Sequence, residues 1–317
     1  MKHTWTVTLM LIVFLILAQV VGLWLINLES HVSFDKKTNQ TVITYNDTAV
    51  GARPETTGSG SLLYILIAVA IGTGLVLIIV KFGKVNIWKT WFFLAVWMAM
   101  SVSIGALIKA NVFFDYDIAL SLGLILSFWK IFRPNIIVHN LTEVLMYAGI
   151  GLIIVPIFDV TWALVLLLII SVYDMYAVWH SKHMVKMAKF QTKSNVFAGL
   201  MIPYTPAKKL PGLASESHAA GKSVKKFRAT STGSPKTAIL GGGDIAFPMI
   251  FIGTVMNGLI VHGLSKSLAF LQSSIIIVTA AVSLLLLFIY AKKGKFYPAM
   301  PFLTAGCLVG WAIVLLI

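Results

Sequence analysis

The chain has 317 residues, 58% of them hydrophobic and 11% charged, with a formal net charge of +14. A water-soluble domain of that length needs a more polar surface, and a disordered chain needs fewer apolar residues, so both classes are excluded. The single cysteine, Cys307, excludes an intrachain disulfide framework and a cysteine-rich zinc site.

The apolar runs are continuous rather than alternating, which predicts an all-α polytopic membrane protein and not a barrel. At about 20 residues per crossing, nine runs qualify, near 5–26, 61–80, 88–108, 112–129, 141–158, 160–180, 237–261, 267–291 and 296–317. The first resembles a secretory signal, but its apolar stretch of 22 residues exceeds the roughly 7–15 of a signal core, so it reads as a span. The fourth is short, and the fifth begins among His139, Asn140 and Glu143. Pro156 and Pro248 lie where they would kink the fifth and seventh.

Basic residues set the direction. With a cytoplasmic N-terminus, the inner side holds Lys2, Lys81, Lys84, Lys89, Lys130, Arg133, eleven residues of 181–236, Lys292, Lys293 and Lys295. The outer side holds only Lys36, Lys37, Arg53, Lys109 and Lys266. The positive-inside rule therefore predicts a cytoplasmic N-terminus and, after nine crossings, an extracytoplasmic C-terminus. Basic loops facing anionic lipid headgroups account for the net charge, and no nucleic acid partner is implied.

Two segments are polar enough to be loops. Residues 27–60 carry the sequons Asn39-Gln40-Thr41 and Asn46-Asp47-Thr48 on the expected outer side, while a third match, Asn140-Leu141-Thr142, falls at a membrane edge. Residues 181–236 are basic and rich in Ser, Gly and Pro, with His183 to Lys193 able to extend the sixth helix and Pro203-Tyr204 marking loop structure. This loop divides a six-span block, 1–180, from a three-span block, 237–317.

Of eleven acidic residues, Asp174 in the sixth span and Asp244 in the seventh lie inside apolar runs. A charge at that depth costs at least about 2.5–3.5 kcal/mol on insertion scales. Asp174 precedes the end of its run by six residues and Asp244 follows the start of its run by seven. At 1.5 Å per residue both sit roughly 10 Å from the cytoplasmic boundary, so antiparallel neighbours could bring them to one point. No Lys or Arg lies within the sixth to ninth spans to neutralise them. Two bare carboxylates brought close together cannot both stay ionised, so the pair should share a proton. Such a pair can activate water against a peptide carbonyl, and it can equally bind H⁺ or Na⁺ in a transporter. Depth and charge alone leave both open, along with a structural pair in a silent scaffold.

The neighbours separate them. Asp174 follows Tyr173, Asp244 closes Gly241-Gly242-Gly243-Asp244, and Pro298-Ala299-Met300-Pro301 opens the last span. At these residues the sequence resembles the GxGD intramembrane aspartyl proteases, the family of presenilin and signal peptide peptidase. Their signatures are Tyr-Asp, Gly-x-Gly-Asp and Pro-Ala-Leu on the sixth, seventh and ninth of nine spans. Met300 departs from the usual Leu by a volume-conserving swap.

The resemblance implies a presenilin-like fold and an aspartic endopeptidase with Asp174 and Asp244 catalytic. Tyr173, Gly241, Gly242, Gly243, Pro298, Ala299 and Met300 would support the site. It implies no cofactor and no metal, and substrates that are single-span or signal-peptide-like segments reached through the lipid. A cytoplasmic 181–236 points to the presenilin-type branch, most like archaeal homologues in a plasma membrane, rather than the inverted signal-peptide-peptidase type. No obligatory protein partner follows, and homo-oligomerisation stays open.

The residues have readings of their own. Glycines before Asp244 would let a substrate backbone approach and allow unusual dihedrals, or pack helices. Pro298 and Pro301 fit a helix start, and Gly306 with Gly310 would let the last span pack closely. Tyr173 could bond near the dyad or simply pack. His180 and His183 lack further ligands for a metal. A substrate helix must unwind before hydrolysis, and pairing with a strand drawn from 181–236 is one route. The Ser, Lys and Gly content of that loop predicts order there only once substrate is bound.

Overall fold

A chain surrounded by hydrocarbon must satisfy its backbone internally, and this one does so with long apolar helices. The computed structural model describes residues 5–36, 40–108, 115–133, 135–181, 183–194, 196–204, 236–291 and 297–317. In order they form α1 (Trp5–Glu29), strands β1 (His31–Asp35) and β2 (Gln40–Thr44), α2 (Ser59–Phe82), α3 (Val85–Ile108), α4 (Asp115–Phe132) and α5 (Ile136–Ile154). There follow α6 (Val160–Met175), α7 (His183–Lys193), strands β3 (Gly199–Tyr204) and β4 (Lys236–Gly241), α8 (Gly243–Val261), α9 (Lys266–Tyr290) and α10 (Met300–Leu315). Among the described residues seven helices are long and apolar enough to cross a membrane, and Ile118–Phe132 and Met300–Leu315 are shorter apolar helices.

Helix α8 lies at the centre, with α1, α5, α6, α9 and α10 packed around it. Its Ile245, Met249, Phe251, Ile252, Val255 and Met256 are buried. Helix α2 is mostly exposed and touches α3, α6 and α7. Gly306 and Gly310 seat α10 against α9: a Cβ on either would come within 2.7 Å of the α9 backbone at Ala280 or Ile276.

Polar residues end the helices where the composition changes. Asn135 accepts a hydrogen bond from Ile137 N at 2.9 Å, Asp159 from Trp162 N at 2.9 Å and Ser265 from Leu268 N at 3.3 Å. The Asn135 cap starts the fifth helix five residues before its apolar run, because His139, Asn140 and Glu143 have bonding partners within the protein. Pro156 ends that helix in a 3₁₀ turn, Val155–Ile157. Pro248 is absorbed inside α8, which continues to Val261.

Both expected loops hold strands. In 27–60, β1 pairs antiparallel with β2, His31 opposite Thr44, and Asn46 is exposed beside His31, whose Nε2 lies 3.1 Å from its amide nitrogen. In 181–236, β3 pairs antiparallel with β4, from Gly199 opposite Gly241 to Tyr204 opposite Lys236. The expectation of a seventh helix from residue 237 is corrected here: 236–241 are strand and the helix starts at Gly243. The expectation that this loop orders only on a substrate is corrected for its first part, where α7 and β3 are formed without one. Leu200, Ile202, Ala238 and Leu240 bury one face of that ribbon in the core, which fixes its register. Residues 205–235 lie outside the described residues, as do Lys2, Lys37, Asn39, Lys109, Lys292, Lys293 and Lys295.

Candidate active site

Asp174 sits in the last turn of α6, just before a π-helical turn over Tyr176–His180, and is only 4% exposed. Its carboxylate accepts the Met300 backbone N–H at 3.1 Å, with the Ala299 amide also on it. These are the unpaired amides at the N-terminus of α10, where a carboxylate complements both the free donors and the helix dipole. Pro301 has no N–H to offer, and at the first turn none is needed. The contact runs through the backbone amides of Ala299 and Met300, so the bond itself does not depend on which side chain stands at 300. Pro298 and Met300 are buried.

Asp244 is the second residue of α8, in the first turn rather than two turns deep. The Gly241 amide bonds its carboxylate, and Asp174 lies within electrostatic reach. Helices α6 and α8 pack directly against each other, which brings the two aspartates, 70 residues apart in the chain, close enough to feel each other's charge. Pro248 lacks the N–H that would bond the Asp244 carbonyl. The next carbonyl, of Ile245, accepts from Gln19 Nε2 of α1 at 2.8 Å.

The three glycines differ. None has a positive φ, so dihedral freedom demands none of them, and space demands them unequally. A Cβ on Gly241 would meet Asp244 Oδ2 at 3.2 Å. One on Gly242 would overlap the Tyr147 hydroxyl and lie 3.0 Å from ring carbon Cζ, whereas one on Gly243 would make ordinary contact with Phe247 at 3.5 Å. The glycine that the conformation does demand is Gly199, at φ +146°, opposite Gly241 in the ribbon.

Tyr173 does not reach the dyad among the described contacts. Its hydroxyl lies 2.8 Å from His183 Nε2, and His183 Nδ1 lies 2.5 Å from Ser181 Oγ. Burial holds the His183 imidazole below its usual pKa, so the neutral ring makes these bonds. Both ring nitrogens are engaged, and no cluster of metal-ligating residues occurs among the described residues.

Sequence reasoning missed the side chains of α5 that hold the ribbon. Asn140 bonds the Met201 backbone twice, donating to its carbonyl at 2.9 Å and accepting its N–H at 3.0 Å. The third sequon is therefore a buried strand clamp. His139 Nε2 lies 2.8 Å from the Gly199 carbonyl. Since Met201 turns its polar groups away from β4, antiparallel alternation places those of Thr237, Ile239 and Gly241 on the outer edge of β4. The Gly241 amide on that edge is the one that meets Asp244. A polar residue at a span edge was the available signal, and it read as a weak span.

Two solved structures of a presenilin family intramembrane aspartate protease share the fold. One, in a C222 crystal form, superposes with a TM-score of 0.61 at 17% identity over 98% of each chain. The other, in a P2 form, gives 0.58 at 18% identity over 96% of each. No curated protein matches the chain in sequence. The family model for signal-peptide peptidase, presenilin aspartyl protease matches residues 38–317. With that match covering most of its length, and with a fold shared with presenilin relatives, the chain belongs to the signal-peptide peptidase, presenilin aspartyl protease family.

Proposed function

We propose that this protein hydrolyses peptide bonds within transmembrane segments, using Asp174 and Asp244 to activate water. The observation that supports the reading is that α6 and α8 pack together with Asp174 in electrostatic reach of Asp244, the first amides of α10 on one carboxylate and the Gly241 amide on the other. One ionised carboxylate takes a proton from the attacking water. The protonated member hydrogen-bonds the scissile carbonyl, and a proton then passes to the leaving amine. Tyr173, Gly241 to Gly243 and Pro298 to Met300 support the pair, Tyr173 by tying α6 to the start of α7.

Among the described residues no strand pairs with the outer edge of β4, and that edge suits the substrate. An unwound segment needs new backbone partners, and α5 already occupies the outer edge of β3. A strand added along Thr237 to Gly241 would lead its peptide bonds toward Asp244.

Nine spans, a cytoplasmic N-terminus and an extracytoplasmic C-terminus agree with seven long and two shorter apolar helices and with the uneven basic residues. On that topology 1–180 is the six-span block, 181–236 a cytoplasmic loop and 237–317 the three-span block. Substrates are single-span or signal-peptide-like segments that arrive through the lipid of a cellular membrane, the plasma membrane in an archaeal host. Homo-oligomers are compatible with this scheme, and no obligatory partner is needed.

The test mixes detergent-purified protein with a single-span substrate and looks for new peptide termini by mass spectrometry. Asp174→Asn and Asp244→Asn each keep the side-chain volume and an acceptor for the amides. Each is expected to remove cleavage while leaving Tm near that of the parent chain. Full cleavage by either variant would overturn the assignment. Ion-driven flux in liposomes without new termini would favour a transporter instead.

A further inference from the structure

Helix α5 carries His139, Glu143 and Tyr147 at four-residue spacing, which places them on one face, one above another. The middle residue, Glu143, has no exposed surface. Lys130 of α4, 3% exposed, donates to Glu143 Oε1 at 2.5 Å and to Thr142 Oγ1 at 3.2 Å. The Tyr147 hydroxyl donates to Glu143 Oε2. His139 Nε2 lies 3.8 Å from Glu143 Oε1.

Tyr147 presses on the segment that carries Asp244, and His139 on the strand paired with it. The Tyr147 ring lies against Gly242, close enough to exclude any side chain there, and is within the field of Asp244. His139 holds the carbonyl of Gly199, whose partner across the ribbon is Gly241. Glu143 thus reaches Gly242 through the bonded Tyr147, while His139, which lies 3.8 Å from Glu143 and is bonded to Gly199, bears on Gly241 only through the strand pair. A buried ion pair is weak as a source of stability, because apolar residues of similar volume often serve as well. Its geometry is where it differs, since each oxygen of Glu143 has its own directional partner.

We propose that Glu143, held by Lys130, anchors a positioning network that sets the Gly241–Asp244 segment through Tyr147 on one side and His139 on the other. Its residues touch no reacting atom; they fix where Asp244 stands relative to Asp174. The inference rests on the protease reading and adds to it three residues, Lys130, Glu143 and Tyr147, that lie outside the family's three motifs.

The test measures kcat and KM for a single-span substrate, with Tm, in two variants. Tyr147→Phe keeps the ring against Gly242 and removes only the hydroxyl. Lys130→Met/Glu143→Leu removes both charges at similar volume. Because a misplacement of about 1 Å can lower a rate by about a hundredfold, we expect kcat to fall about tenfold or more in each. KM should stay within about twofold, since groups that act only on positioning leave substrate binding intact, and Tm should stay close to that of the parent chain. Wild-type kcat in either variant at native Tm overturns the network, as does a loss confined to KM or a kcat loss that merely follows Tm. If the double variant does not fold, Tyr147→Phe decides alone. The parent chain and Asp244→Asn run alongside: a parent that releases no new termini fails the protease reading, whereas an active Tyr147→Phe beside an active parent fails the network only.

Discussion

Gly242 is the tightest position in its motif although it fills the variable place between two named glycines. Its backbone is ordinary, at φ −65° and ψ −32°, so the demand comes from the Tyr147 ring and not from the dihedral. We therefore expect Gly242→Ala to lower Tm and remove most cleavage, with an overpacking cost of about 1–3 kcal/mol. Gly243→Ala adds a methyl at ordinary contact distance and should be the milder change by both thermal melting and product release. Equal effects at the two positions would mean that Tyr147 yields freely. At this scale the sequence singles out the segment but leaves its reason open between substrate approach, unusual dihedrals and packing, because a Cβ clash depends on a side chain nearly a hundred residues away.

The ribbon of β3 and β4 is the element that the sequence concealed. Its strands end a long basic loop, and residues 236–241 continue smoothly into an apolar helix, so the run reads as one span. What separates strand from helix is pairing: β4 matches β3 residue for residue, and Asn140 and His139 close the other side of β3. A single-sequence pattern contains no such partner. The alternation assigns different tasks to adjacent residues of β4. The Ile239 amide points outward and the Ala238 amide points into the ribbon. Ile239→Pro should therefore weaken cleavage strongly with little change in Tm, whereas Ala238→Pro should lower Tm by breaking the ribbon. Activity assays and thermal melts of the two proline variants check this, and unimpaired cleavage by a well-folded Ile239→Pro would remove the β4 edge from substrate binding.

Across the molecule, the site is assembled from both sides of the long loop. Helix α6 brings one aspartate, α8 the other, and α10 returns to place its first amides on Asp174. Helices α1 and α5 brace α8 and the ribbon from the first block. Two carboxylates facing one site work as a pair only while a single proton is shared. At low pH both are protonated and no base remains to take the proton of water. At high pH both are ionised and nothing polarises the carbonyl. Cleavage should follow a bell-shaped pH profile whose limbs belong to the pair, and each limb is lost when its protonation step is bypassed. Rates measured from acid to alkaline buffers, at constant detergent and with Tm followed throughout, check it; a flat profile would contradict shared-proton chemistry.

Much of this protein is legible without coordinates. Continuous apolar runs require helices because lipid cannot solvate an open backbone, and two aspartates within such runs are costly enough to mark the place where chemistry is expected. The Tyr-Asp, Gly-x-Gly-Asp and Pro-Ala-Met segments point to that same place. Only the tertiary structure decided what holds the place in order: the amides of α10 on Asp174, the clamp of Asn140 on β3, and the buried Lys130, Glu143 and Tyr147 beneath Gly242. Those are contacts between groups far apart in the chain. Periodicity and composition report how each segment meets its surroundings, while the choice of partner depends on which helices the fold brings side by side.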